Sequence, residues 1–121
     1  MKILAFPWGI LMANCYLLTD TPGKKCIVID PAAPPDTVLM GFEKTPSVSY
    51  ILLTHCHFDQ MTYLREWKKR TGAPIVIGFA DAQGLTDPRL NLTDYFRQPA
   101  REEYPQADIR LSDGEAVGEG E

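Results

Sequence analysis

Cysteine, histidine, basic charge and long apolar runs are all scarce in this sequence. Three cysteines, Cys15, Cys26 and Cys56, make an odd set with no C-x-x-C spacing, which argues against a disulfide frame and for reduced thiols in a cytoplasmic protein. No apolar stretch approaches the roughly 18 residues of a membrane-spanning helix, so no membrane partner is expected. The opening MKILAFPWGILMANCYLL starts like a secretion signal, but Pro7 and Gly9 interrupt it and Asn14 before Cys15 is a poor cleavage site, so it reads as mature protein. Twelve basic against sixteen acidic residues leave a formal charge of -4, part of it in the polar end SDGEAVGEGE. A basic surface for nucleic acid is therefore missing. Internal repeats, low-complexity tracts and linkers are absent, so a single domain over residues 1–121 is expected.

What is present is ordinary globular material. The 45% apolar, 10% aromatic and 23% charged residues can build a core that hides roughly two-thirds of the unfolded surface. Ala13 to Thr19 and Lys25 to Ile29 read as two strands of a hairpin, with Pro22 and Gly23 suited to the centre of a type II turn. Asp36 can cap a short helix whose apolar stripe is Val38, Leu39 and Phe42. VSYILLT is a buried strand, and Met61, Leu64 and Trp67 recur at helical spacing, so Gln60 to Arg70 reads as an amphipathic helix stopped by Gly72. PIVIG is another strand, and the alternation from 25 to 78 predicts an α/β layer with crossover connections. Further on, a short helix around Ala80 to Leu85 and a last hairpin around Asp113 and Gly114 are expected.

The stretch ILLTHCHFDQMTYL, Ile51 to Leu64, carries the chemistry. His55 and His57 lie two residues apart after a buried strand, so in extended backbone both side chains point to one side, and Asp59 continues that side if the chain stays extended. Imidazoles suit zinc or iron, and a carboxylate can ligate or orient a bound water. The end of a strand is also where sites form in open α/β layers. Two nearby histidines are as readily polar loop residues, and spacing alone leaves both readings open. The same pleat turns Cys56 away, which makes it a small buried filler. Asp30, at the end of an earlier strand, suits a turn-forming or supporting role, Trp8 and Trp67 suit the core or a substrate edge, and the basic run Arg65, Lys68, Lys69 and Arg70 suits a solvated helix face.

Thr54 to Gln60, T-H-C-H-F-D-Q, resembles the T-H-x-H-x-D-H signature of the metallo-β-lactamase fold superfamily, with VIDPA, YILLT and LREWKKRTGAPIVIG placed where that family has its strands and helix. TDPRLNLT, Thr86 to Thr93, resembles a segment of the glyoxalase II-like branch. The resemblance implies the N-terminal half of a four-layer α-β-β-α sandwich, an α/β fold with a mixed sheet and flanking helices. It also implies His55 and His57 as ligands of a first metal, zinc with iron or manganese as alternatives, and Asp59 as a ligand of a second metal and the catalytic carboxylate. The implied activity is hydrolysis of a small-molecule thioester of the hydroxyacylglutathione type by a metal-bound hydroxide. Phosphodiester or lactone hydrolysis is the alternative chemistry, and an inactive half-fold acting as a binding or decayed module is the alternative to an enzyme.

The sequence departs from that signature at Gln60, where the family has histidine, and a neutral amide oxygen is a poor zinc donor, which disfavours a second metal. Two histidines cannot supply the three protein ligands that a catalytic zinc usually keeps. The expectation is therefore a chain truncated at its C-terminus and catalytically impaired by itself. CIVI, YILL and PIVI are continuous apolar runs, the pattern of strands covered on both faces. With too little chain for a second sheet, self-association through an uncovered apolar face is expected.

Overall fold

In the computed structural model, residues 1–9, 11–20, 23–87, 89–91 and 104–117 are described. The strands are β1 (Lys2–Trp8), β2 (Ala13–Thr19), β3 (Lys25–Ile29), β4 (Ser47–Leu53), β5 (Ile75–Gly78) and β6 (Ile109–Leu111). The helices are α1 (Pro35–Leu39) and α2 (Leu64–Thr71), with 3-10 turns at Phe58–Gln60 and Ala82–Leu85. One six-stranded sheet takes all the strands in chain order. β1, β2 and β3 are antiparallel, while β3 through β6 run parallel. The fold is thus a mixed-sheet α/β layer, as the strand–helix alternation predicts.

Strand order and handedness together decide where the core lies. The crossovers β3–α1–β4 and β4–α2–β5 step the same way along the sheet, and right-handed connections then put both helices on one face. That face holds Cys15, Leu17, Val28, Ile51, Leu53, Ile75 and Ile77, all buried, under Val38 and Leu39 of α1 and Leu64 and Trp67 of α2. Met61, Leu64 and Trp67 are each 0% exposed, so the helical stripe read from the sequence is the buried one. The alternate residues Tyr16, Leu18, Ile27, Ile29, Tyr50 and Leu52 point to the other face and are only half-buried. Among the described residues no helix covers them.

Several local expectations need correction. β1 pairs with β2 along its whole length, and as an edge strand it tolerates Pro7, which a central strand would not. The β2–β3 hairpin has the expected residues, with Gly23 at φ 72, while Pro22 lies outside the described residues. Asp36 does not cap α1. Pro34 occupies the cap and Pro35 the first turn, and Asp36 instead pairs with Arg70 of α2. α2 begins at Leu64 rather than Gln60 because Phe58–Gln60 forms a separate 3-10 turn. Gly72 stops it as expected, at φ 66, with its N–H donating to the Lys68 carbonyl at 2.8 Å. The helix expected from Ala80 is a 3-10 turn at Ala82–Leu85.

The terminal hairpin is not formed among the described residues. β6 joins β5 in parallel instead, and Ser112 to Glu115 make a turn with no returning strand. Asp108 secures this edge. Its carboxylate accepts from Lys68 Nζ and from the Ile75 backbone N–H, both at 2.8 Å. The Lys68 ammonium, then the Ile75 amide, hold that carboxyl below the ordinary carboxylate value.

Candidate metal centre

The parallel part of the sheet presents the C-terminal ends of β3 and β4 side by side, and the candidate site is built on those two ends. β3 finishes at Asp30, whose φ of 54 is a left-handed conformation that only short polar residues and glycine adopt readily. That turn folds the carboxylate back across the end of β4. Asp30 Oδ1 accepts the Thr54 backbone N–H at 2.8 Å and Asp30 Oδ2 accepts the Thr54 hydroxyl at 2.7 Å. Asp30 is 4% exposed. Burial pushes its carboxyl above the ordinary value against the pull of the Thr54 hydrogen bonds and of His55, and the Asp59 charge raises it further.

Thr54 passes this anchoring on to the first histidine. His55 Nδ1 lies 2.9 Å from the Thr54 hydroxyl oxygen. Because that hydroxyl spends its single hydrogen on Asp30, its oxygen must accept from His55, so neutral His55 carries its proton on Nδ1 and keeps the Nε2 lone pair free. The ring of His57 stands edge to face with that of His55, with centroids 4.6 Å apart and planes at 89°. Two imidazoles are therefore brought together, as their i, i+2 spacing predicts.

Asp59 is placed differently from the extended expectation. The backbone leaves the extended region after His57 and enters the 3-10 turn Phe58–Gln60, so the alternation that would carry Asp59 onto the histidine side stops. Its charge reaches Asp30, but among the described residues no three histidine, cysteine, aspartate or glutamate side chains form a group that could hold an ion. Gln60 uses its backbone N–H on the His57 carbonyl at 3.1 Å. His55 and His57 thus offer two imidazole donors, one with a defined free nitrogen, a chemistry suited to part of the shell of one transition-metal ion.

Cys56 points away between them and is 6% exposed. Burial, then the neighbouring Asp81 carboxylate, pushes its thiol up to about 11, so it remains protonated at neutral pH and is a poor ligand. Cys15 and Cys26 are likewise buried thiols raised to about 11, chiefly by burial. The three are free cysteines. Trp67 is a core residue with its Nε1–H donating to the Ala33 carbonyl at 2.8 Å, whereas Trp8 is 38% exposed on the edge strand. Two residues that sequence reasoning does not single out also touch the loop. Gly84 lies against Cys56, and buried Asn91 accepts the Phe58 N–H on its carbonyl. Gly84 has no motif signal of its own, while Asn91 falls within the TDPRLNLT segment.

Comparison with known proteins gives consistent matches. The family model described as "Metallo-beta-lactamase superfamily" matches residues 8–121. An uncharacterized protein of Mycobacterium leprae is 37% identical over 92 residues, which is 73% of this chain and 41% of that protein. The cytoplasmic hydroxyacylglutathione hydrolase of Saccharomyces cerevisiae is 36% identical over 81 residues, 60% of this chain and 29% of that enzyme. Among solved structures, the BLEG-1 B3 metallo-beta-lactamase superposes with a TM-score of 0.84 at 22% identity, covering 98% of this chain and 57% of its own. Two neighbours of the same fold hold metal pairs. One is TTHA1623 in a di-iron-bound form (TM-score 0.72, 24% identity, 94% of this chain and 56% of that one). The other is the di-zinc enzyme LRA-12 from an Alaskan soil metagenome (TM-score 0.67, 25% identity, 88% and 42%). The chain therefore spans from about a quarter to three-fifths of the proteins it matches, and its architecture is that of an N-terminal half-fold of the sandwich.

Proposed function

The chain belongs to the metallo-beta-lactamase superfamily, and on that premise we propose that it is the metal-binding half of a cytoplasmic hydrolase that cleaves thioesters of the acylglutathione type. The observation that carries this reading is the pair of imidazoles with centroids 4.6 Å apart, tied through Thr54 to a buried aspartate at the ends of two parallel strands. His55 through Nε2 and His57 would hold one divalent ion, zinc with iron or manganese as alternatives. When bound, such an ion supplies Lewis acidity at neutral pH. Asp30 and Thr54 keep His55 in the ligating tautomer and fix its ring, the supporting role that partners of a ligating histidine usually have. Asp59, one short turn beyond His57, would accept a hydrogen bond from the attacking water and orient it. Gln60 offers only an amide, so one metal is proposed rather than two. The thioester class is supported by the names of two relatives, hydroxyacylglutathione hydrolases of yeast and of Ectopseudomonas mendocina, the latter 28% identical over 103 residues.

A substrate panel tests this. The zinc-loaded chain, offered an acylglutathione, a phosphodiester and a lactone, is expected to show at most a trace of turnover, and that on the thioester, since the two imidazoles are only part of a catalytic shell. Preference for either other substrate would overturn the substrate class. Full zinc occupancy with no turnover on any of them would favour the second reading.

That second reading is a non-catalytic binding module, and the sheet favours it. Leu18, Ile27, Ile29, Tyr50 and Leu52 form a continuous apolar face without a helix over it among the described residues, and Ile3 beside them is 70% exposed. A sheet face of six strands about 4.8 Å apart and three to seven residues long spans roughly 500 Å², the size of apolar patch that marks an interaction site, and a second copy is the proposed occupant. Light scattering at high concentration should report a dimer, and Leu18→Lys with Leu52→Lys should return it to monomer. A monomeric parent chain would refute the association.

A further inference from the structure

We propose that Gly84 and Asn91 are positioning residues that set the pitch of the two histidine rings, a proposal that rests on His55 and His57 holding a metal. Cys56 lies between the two histidines in the chain. Whatever fixes Cys56 fixes the backbone from which both rings project, because the three residues share one extended segment and Cys56 points opposite to its neighbours. Gly84 is what it rests on. A Cβ at position 84 would fall 2.6 Å from the Cys56 Cβ, nearer still to its Sγ, and 3.6 Å from the Leu90 Cβ. The first two approaches are closer than real Cβ atoms tolerate. Glycine is required there for space rather than for backbone conformation.

Gly84 is itself held in place by the segment that follows. Its N–H donates to the Asp81 carbonyl at 2.9 Å, and its carbonyl accepts from Asn91 Nδ2 at 2.8 Å. Asn91 is 3% exposed, and its own carbonyl accepts the Phe58 N–H at 2.8 Å. The Cys56 thiol faces the Leu90 carbonyl at 3.6 Å. The contacts close a circuit from Cys56 to Gly84, to Asn91, and back to Phe58. His57 is bracketed by it on both sides, while Asp30 and Thr54 hold the approach to His55. A side chain at 84 would push Cys56 outward and rotate both imidazoles, and loss of the Asn91 side-chain amide would free the Gly84 carbonyl and loosen the Leu90–Asn91 backbone on which Cys56 and Phe58 rest.

Cobalt(II) titration followed by its visible absorption bands, beside urea unfolding of the metal-free protein, separates positioning from mere packing. Gly84→Ala is expected to weaken cobalt binding by roughly tenfold or more, the usual consequence of disturbing what orients a ligand, while the chain remains folded. Cys56→Gly removes the clashing atoms, so the Gly84→Ala/Cys56→Gly chain should bind cobalt about as well as Cys56→Gly alone, a coupling that additive packing losses do not produce. Asn91→Asp should weaken binding as well. Wild-type affinity in Gly84→Ala, or no recovery in the double variant, would overturn the proposal. If Gly84→Ala does not fold, Asn91→Asp decides it, and unchanged affinity there would refute it. A parent chain that binds no cobalt at all would instead overturn the metal centre itself, and the positioning role with it.

Discussion

The His57→Ala chain is expected to lose divalent-metal affinity by at least about a hundredfold while unfolding at nearly the same urea concentration as its parent. Removing a group that merely orients a ligand costs 10–100-fold in affinity, so removing one of two imidazole ligands should cost no less. Stability should hardly change, because His57 is exposed and packs only its ring edge against His55. Equilibrium dialysis against zinc, beside the unfolding curve, reads both quantities. The companion His55→Ala should differ in kind. It removes the 2.9 Å contact with the Thr54 hydroxyl, so the Asp30–Thr54 anchor loses a partner and stability falls along with affinity. Equal metal binding by His57→Ala and parent would mean that the histidine pair is not the site.

Trp67→Ala should destabilise the chain more than any surface change, by about 3–5 kcal/mol. The indole is 0% exposed between the sheet and α1, in one stripe with Met61 and Leu64. Its Nε1–H also holds the Ala33 carbonyl at 2.8 Å, which fixes the turn leading from Asp30 into α1. Truncation would leave both a cavity and a carbonyl without that donor. Trp67→Phe refills most of the space but not the hydrogen bond, so it should cost about 0.5–1.5 kcal/mol for the bond plus a smaller packing loss. Urea midpoints of the three chains give the comparison. Because the same turn begins at Asp30, Trp67→Ala should also loosen the histidine loop and lower metal affinity.

The elements legible in the sequence are those whose signal is local and periodic. The β2–β3 hairpin keeps its expected bounds because two short apolar runs flank a turn, and the α2 stripe of Met61, Leu64 and Trp67 is buried because its spacing matches a helix. The histidine pair is legible for a similar reason, since i, i+2 spacing in extended backbone needs no tertiary information. What escaped depends on partners distant in the chain. Ile109–Leu111 reads as one arm of a terminal hairpin, yet its partner is β5 rather than a returning strand. Asp36 has the chemistry of a cap but a proline already occupies the entry to α1, leaving it to meet Arg70. Asp59 follows the histidines in sequence yet turns with Phe58–Gln60, a choice of backbone that alternation cannot foresee. The role of Gly84 and Asn91 has no local pattern behind it, although Asn91 falls within TDPRLNLT, because it is set by a close approach to Cys56 and Phe58 across the fold.

X-ray absorption at the zinc edge, on the parent chain loaded with one equivalent, most directly tests whether this polypeptide supplies two imidazoles and no more of the coordination sphere. The expected spectrum has the multiple-scattering pattern of two imidazoles, with oxygen scatterers completing the shell and no sulfur. A shell of three or four protein nitrogens and thiolates, or zinc surrounded by oxygen alone, would contradict the account.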